Sequence, residues 1–114
     1  MKKVIQALFA LMLIVSCEKS NRICGCNDPL ADLSWLKEMK NSLTNCTCRI
    51  SIFQATYQNE TVFYQLMNDP LCDGVQTIVL FNCQGQSVAS FSPLDQASYD
   101  GVTGRKQIYT CKTE

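Results

Sequence analysis

Residues Cys48 to Met67 read CRISIFQATYQNETVFYQLM, and this stretch decides the fold. From Cys48 to Tyr57 the side chains alternate, with Ile50 and Ile52 on one face and Phe53, Ala55 and Tyr57 on the other. Gln58-Asn59-Glu60 interrupts the pattern as a turn, and Thr61 to Met67 returns. A period of two, rich in β-branched and aromatic residues and broken by a short polar stretch, predicts a β-hairpin. The reading puts Ile50, Ile52, Val62, Tyr64 and Leu66 on one side, and Phe53, Tyr57, Phe63 and Met67 on the other.

Downstream, Asn68-Asp69-Pro70 through Asp73-Gly74 is a longer break. Val75 to Phe81 is a third strand and Asn82-Cys83-Gln84-Gly85 a tight turn. Gln86 to Phe91 is a fourth strand. Ser92 to Arg105 carries Pro93, Gly101 and Gly104 and reads mostly as loop, with Lys106 to Cys111 as a short closing strand. Upstream the period changes. Leu30, Leu33, Leu36, Met39 and Leu43 recur at threes and fours, predicting one helix with a single apolar face and Trp35 beside it. Asp28 is placed to cap it, Pro29 suits its first position, and Asp32 favours its first turn. The expected fold class is α+β: one N-terminal helix packed on an antiparallel meander of four to five strands.

One helix covers one face of a sheet. Two readings of the other face follow. In one, the Ser92–Arg105 loop folds over it. In the other, Phe53, Tyr57, Phe63 and Met67 form an exposed surface for a protein partner or a second copy.

The chain opens with Met1-Lys2-Lys3, then twelve residues, Val4 to Val15, broken only by Gln6. A membrane-spanning helix needs ~20 apolar residues, so this length fits an export signal instead. Ile14-Val15-Ser16-Cys17 resembles a bacterial lipobox: an aliphatic residue, two more of which the second is small, then cysteine. The resemblance implies a signal peptide at residues 1–16, cleavage before Cys17 and acyl chains on that cysteine. Two or more chains make a stable anchor. Residues 17–26 then hold the lipidated cysteine and a tether, and residues 27–114 form a single domain. Ten flexible residues reach roughly 18 Å, so the domain would sit close to the membrane. A chain beginning at Cys17 has 98 residues, with 8 basic and 10 acidic side chains, net −2. That balance leaves no electrostatic footprint for nucleic acid.

Seven cysteines then remain: Cys24, Cys26, Cys46, Cys48, Cys72, Cys83 and Cys111. Exported, cysteine-dense domains of this size are usually disulfide-stapled, and seven thiols predict three bridges with one left over. Cysteines before and after the helix bridging to each other would pin its ends. Two other readings stand beside this. Cys24-Gly25-Cys26 has the form of a small exchange dithiol. Cys24, Cys26, Cys46 and Cys48 could supply four thiolates to zinc, although structural sites usually space each pair by two to four residues.

The full chain has no histidine, which removes the commonest general base and metal ligand. Asp28, Asp32, Asp69 and Asp73 sit at caps and turns, where carboxylates serve the backbone. Asp69 to Gly74 lacks the alternating oxygen ligands of a calcium loop. No nucleophile elbow or S-x-x-K signature occurs. Catalytic residues, cofactor and metal are therefore not expected.

Asp28-Pro29-Leu30-Ala31-Asp32-Leu33-Ser34-Trp35-Leu36-Lys37-Glu38 resembles the opening of small uncharacterised lipoproteins of Bacteroides-type bacteria. These show an N-P-L-x-D-L-P-W-L-K-E helix start after a short tether. Tyr57 to Tyr64 is similar to their hairpin, and Phe81 to Gly85 to a later turn. Asp28 replaces the usual Asn and Ser34 the usual Pro; Cys46 and Cys48 are extra. The absence of a catalytic constellation, together with apolar side chains on both sheet faces, sets the expectation of a binding, inhibitory or structural role; the resemblance implies the fold and a location in the outer membrane or cell envelope. It transfers no site residue.

Overall fold

The computed structural model describes residues 23–72 and 76–112. The expected signal peptide, Cys17 and the expected tether as far as Arg22 lie outside them, as do Asp73, Gly74 and the predicted start of the third strand at Val75. The elements run α1 (Pro29–Asp32), α2 (Ser34–Ser42), β1 (Ile50–Tyr57), β2 (Glu60–Met67), β3 (Ile78–Phe81), β4 (Ser87–Phe91), α3 (Gln96–Asp100) and β5 (Val102–Cys111). The strands form one antiparallel sheet in the order β4-β3-β2-β1-β5. The α+β class and the first four strands match expectation. The closing strand leaves the meander: it crosses back from the β4 edge to pair with β1.

The predicted single helix is two. Asp28 caps α1, its Oδ1 accepting from the Leu30 N–H, and Pro29 is the first helical residue. Leu33 is extended, with φ −89° and ψ 110°, and separates α1 from α2. The apolar spacing explains the break. Each step of three falls ~60° short of a full turn, so Leu30 to Met39 would drift half-way round a straight helix. An extended Leu33 resets the phase. Leu30, Leu33, Leu36, Met39 and Leu43 all then reach one cluster, with Leu36, Ile52 and Phe63 fully buried at its centre.

The hairpin faces need correction. The turn is two residues, Gln58 and Asn59, with φ 49° and 64°, and Tyr57 pairs with Glu60. Two left-handed residues give the tight turn whose twist suits a hairpin. Opposed pairs are therefore Ile52 with Gln65, Gln54 with Phe63 and Phe53 with Tyr64. A one-residue change in register exchanges faces. Phe63 consequently joins Ile52 beneath the helices, while Phe53 and Tyr57 join Val62, Tyr64 and Leu66 on the opposite side.

That opposite side is covered by the connection to β5. Asp95 caps α3, accepting from the Ser98 N–H and from its hydroxyl. Tyr99 packs edge-on against Tyr64, their hydroxyls 3.1 Å apart, and Phe53 stacks on Tyr64 at 5.3 Å. Burial, then the bond to Tyr99, push the Tyr64 phenol well above its ordinary range. The Arg105 guanidinium lies 4.3 Å from the Tyr99 ring centre, closing the layer. The segment read as loop thus holds a short helix and the first part of a ten-residue strand. Gly104, at φ +60°, sits where two β5 residues oppose one of β1. A glycine there marks a bulge within a strand rather than its end. A second irregularity, between Ile52 and Phe53, lets both Ile108 and Tyr109 pack towards the helices.

Candidate functional site

The cysteines fasten the layers at opposite ends of the sheet. Cys24 bonds Cys83 at the β3–β4 turn; Cys46 bonds Cys111 at the end of β5; Cys48 bonds Cys72 beyond β2. Cysteines flanking the helices do bridge, but to the sheet rather than to each other. Adjacent pairs such as Cys24 and Cys26 diverge because Cys24, at φ 56°, turns the chain towards Cys83. The dithiol needed for exchange and the four-thiolate zinc set are therefore not assembled. Cys26 is buried and in a disulfide too, so the leftover thiol is not found: no described cysteine is free. Three bridges with both partners described mark a protein of an oxidising, non-cytoplasmic compartment. Among the described residues no helix is long and apolar enough to cross a membrane, and no group of His, Cys, Asp or Glu gathers as a metal site.

Phe53, Tyr57, Phe63 and Met67 do not form one surface. Phe63 is fully buried, and the other three are partly buried on two different sides of the sheet. Their sizes invited a docking role; register places Phe63 in the core beneath the helices and packs Phe53 and Tyr57 against the core on the α3 side, while Met67 ends β2 partly buried and outside both clusters.

A polar cluster closes the end of the sheet near Cys48–Cys72. The buried Ser51 hydroxyl donates to Asn68 Oδ1 at 3.0 Å and lies 3.0 Å from Thr110 Oγ1. Asp69 accepts the Arg49 N–H at 2.9 Å and the Leu71 N–H at 3.0 Å. The Arg49 N–H first, then that of Leu71, hold its carboxyl below the usual carboxylate range. This is the chemistry of a clamped loop. Since the folded form lowers this pKa, the stabilisation is complete above the unfolded value of ~3.9 and fades as pH falls through the lower folded one. Asp69→Asn turns an amide towards one of the two donors. It is expected to lower the melting temperature at pH 7, with the difference from the parent shrinking below pH ~4; melts across that range measure it.

The open part of the molecule lies beside α2. Gln65, Gln76, Thr77, Val79 and Phe81 line an open groove of 260 Å³ on the helix side of β2 and β3. Next to it β4 ends the sheet, with Ser87, Val88 and Ser90 exposed. No charged residue occurs between Asp73 and Asp95. The other edge differs in charge, since β5 exposes Arg105 and Lys106; both edge strands carry bulges, two on β5 against β1 and one on β4 at Val88 against β3. A second pocket, of 320 Å³, lies at the opposite end of the β2 strand from the polar cluster and is lined by Cys24, Glu60, Thr61, Asn82, Cys83 and Gln84. The groove and the β4 edge were missed at the level of sequence, although the uncharged run was there to signal them.

Comparison with known proteins finds no matching family model, no similar curated protein and no similar solved structure.

Proposed function

We propose that this chain is a lipid-anchored lipoprotein of the bacterial cell envelope, held in the outer membrane by acyl chains on Cys17. Its domain serves as a binding or structural module rather than a catalyst. The observation that supports this best is the bridge framework, which fits a small exported domain. The Ile14-Val15-Ser16-Cys17 motif supplies the anchor. Cys24 follows Cys17 by seven residues and is fastened to Cys83, so at most ~25 Å of extended chain separates Cys24, at the β3–β4 turn, from the anchor. The described side chains engage in caps, clamps and core packing, which leaves an open sheet edge and groove as the surface available for recognition.

The test is a peptide map by mass spectrometry, without reduction, on protein from native membranes. The expected result is an acyl mass on an N-terminal Cys17, together with the peptides Cys24–Cys83, Cys46–Cys111 and Cys48–Cys72 still joined. A sulfur in an acyl thioether cannot also be in a disulfide, so in the anchored chain the disulfide of Cys26 cannot be to Cys17. A Cys17 bridged to Cys26 or any other thiol, or a chain retaining Met1, overturns the anchor.

A further inference from the structure

We propose that the turn Asp69–Cys72 is a recognition tip, seating Leu71 in an apolar pocket of a separate protein whose rim carboxylates meet Arg49 and Lys112. The inference rests on the anchored reading above and names the kind of partner that module takes, at a projecting element apart from the sheet edge and groove.

Leu71 is the most exposed large apolar side chain among the described residues, at 89 %. Its exposure is not looseness. The Cys72 N–H donates to the Asp69 carbonyl at 3.1 Å, closing a four-residue turn with Pro70 and Leu71 at its centre. Asp69 Oδ1 accepts the Leu71 N–H, Oδ2 accepts the Arg49 N–H, and Cys72 is bonded to Cys48. Both ends of the turn are thus tied to the segment that opens β1. Proline fixes one of the two central residues, and the other faces solvent, a place that polar residues and glycine ordinarily occupy. A leucine there adds nothing to the core. Held in advance, it can enter a pocket without the ordering entropy that a flexible loop would lose.

Beside the turn, Arg49 and Lys112 stand close enough for their charges to act on the Asp69 carboxyl. That carboxylate spends both oxygens on backbone donors, and neither cation makes an ion pair with a described residue. The Arg49 Nε is enclosed with no acceptor. The complementary surface is therefore apolar where it takes Leu71 and acidic beside it.

The tether decides which molecules can reach this tip. The chain enters the domain at Cys24, fastened to the β3–β4 turn, whereas the Asp69–Cys72 turn follows β2 at the other end of the sheet. An eight-residue strand is about 27 Å long, more than the ~25 Å that the fully stretched tether spans. The tip points away from the bilayer that holds the anchor. Copies anchored in one leaflet stand side by side with their tips parallel, so a second copy does not face Leu71 either. The occupant is a different molecule, and an apolar pocket with a carboxylate rim is the chemistry of a protein.

The experiment places a benzophenone amino acid at Thr47, exposed between Cys46 and Cys48 at this end of the sheet, in the full chain expressed in its own envelope. A parallel strain carries it at Gln84, exposed in the β3–β4 turn. Irradiation is followed by the same unreduced peptide map. The expected result is an adduct from position 47 to an Asp- or Glu-bearing peptide of one other protein, absent from position 84. Leu71→Ser and Lys112→Gln, both at exposed positions, should each lower its yield several-fold with all three bridges intact, while Leu71→Met keeps it. With Cys17 acylated, a yield indifferent to Leu71→Ser, adducts only between copies or to lipid, or no adduct at all overturns the tip alone. Cys17 lacking acyl mass overturns the anchored reading, and the proposal with it.

Discussion

Replacing Cys46 and Cys111 together by serine is expected to lower the stability of the domain by about 4 kcal/mol. The bridge closes a separation of 65 residues, the longest of the three described. On the chain-entropy account, cross-linking stabilises by limiting the unfolded chain, and the effect grows slowly with loop length. Cys48–Cys72, at a separation of 24, should contribute about 3.5 kcal/mol on the same scale. Position adds to this difference. Cys111 ends β5, which has only β1 as a neighbour, and it lies opposite Ile50 at the start of β1. Cutting the bridge frees the end of an edge strand, whereas Cys72 keeps the nearby Asp69 clamp. Since small domains are stable by only ~5–15 kcal/mol, the Cys46/Cys111 variant should be partly unfolded at growth temperature. Urea titrations of the two serine pairs give the comparison. Equal midpoints would show that the loop and edge arguments do not govern these bridges.

What could be read from sequence divides by physical range. Alternation within β1 and β2 is local, and it placed both strands. Which face each strand shares with its partner depends on one residue of turn length. Counting Glu60 into the turn, rather than opposite Tyr57, assigned Phe63 to a surface although it is fully buried. The start of β5 was hidden by Gly101 and Gly104, residues that usually end strands; the second occupies a left-handed bulge inside one. The break at Leu33 was latent in the run of threes from Leu30 to Met39 but looked like ordinary helical spacing. Disulfide partners lie 24 to 65 residues apart, and nothing local encodes such pairings. The open edge is the opposite case: an uncharged run from Gly74 to Leu94 is plain in the sequence. It acquires meaning only once β4 is known to end the sheet.

The second large effect is expected at Trp35, where the helix layer meets the β3–β4 turn. The indole packs edge-on to Phe63 at 5.7 Å and against Phe81 at 5.9 Å, and its Nε1 donates to the Cys83 carbonyl at 2.9 Å. Gly85 lies directly under the ring: a Cβ there would stand 2.8 Å from Trp35 Cγ, and the backbone is at φ +80°. Trp35→Ala removes these ring contacts and strands the carbonyl, for a loss of about 3–5 kcal/mol. Gly85→Ala meets two obstacles, contact with the indole and a left-handed backbone that costs an L-residue ~1 kcal/mol. The two substitutions should not add. Once the indole is gone, the added methyl meets no ring and only the backbone strain is left. The double variant should then be less stable than Trp35→Ala by about 1 kcal/mol, while Gly85→Ala alone costs clearly more than that in the parent. Urea unfolding of the four proteins closes the cycle. Additive losses would mean that the turn yields around the methyl group, and that Trp35 is not what requires glycine at position 85.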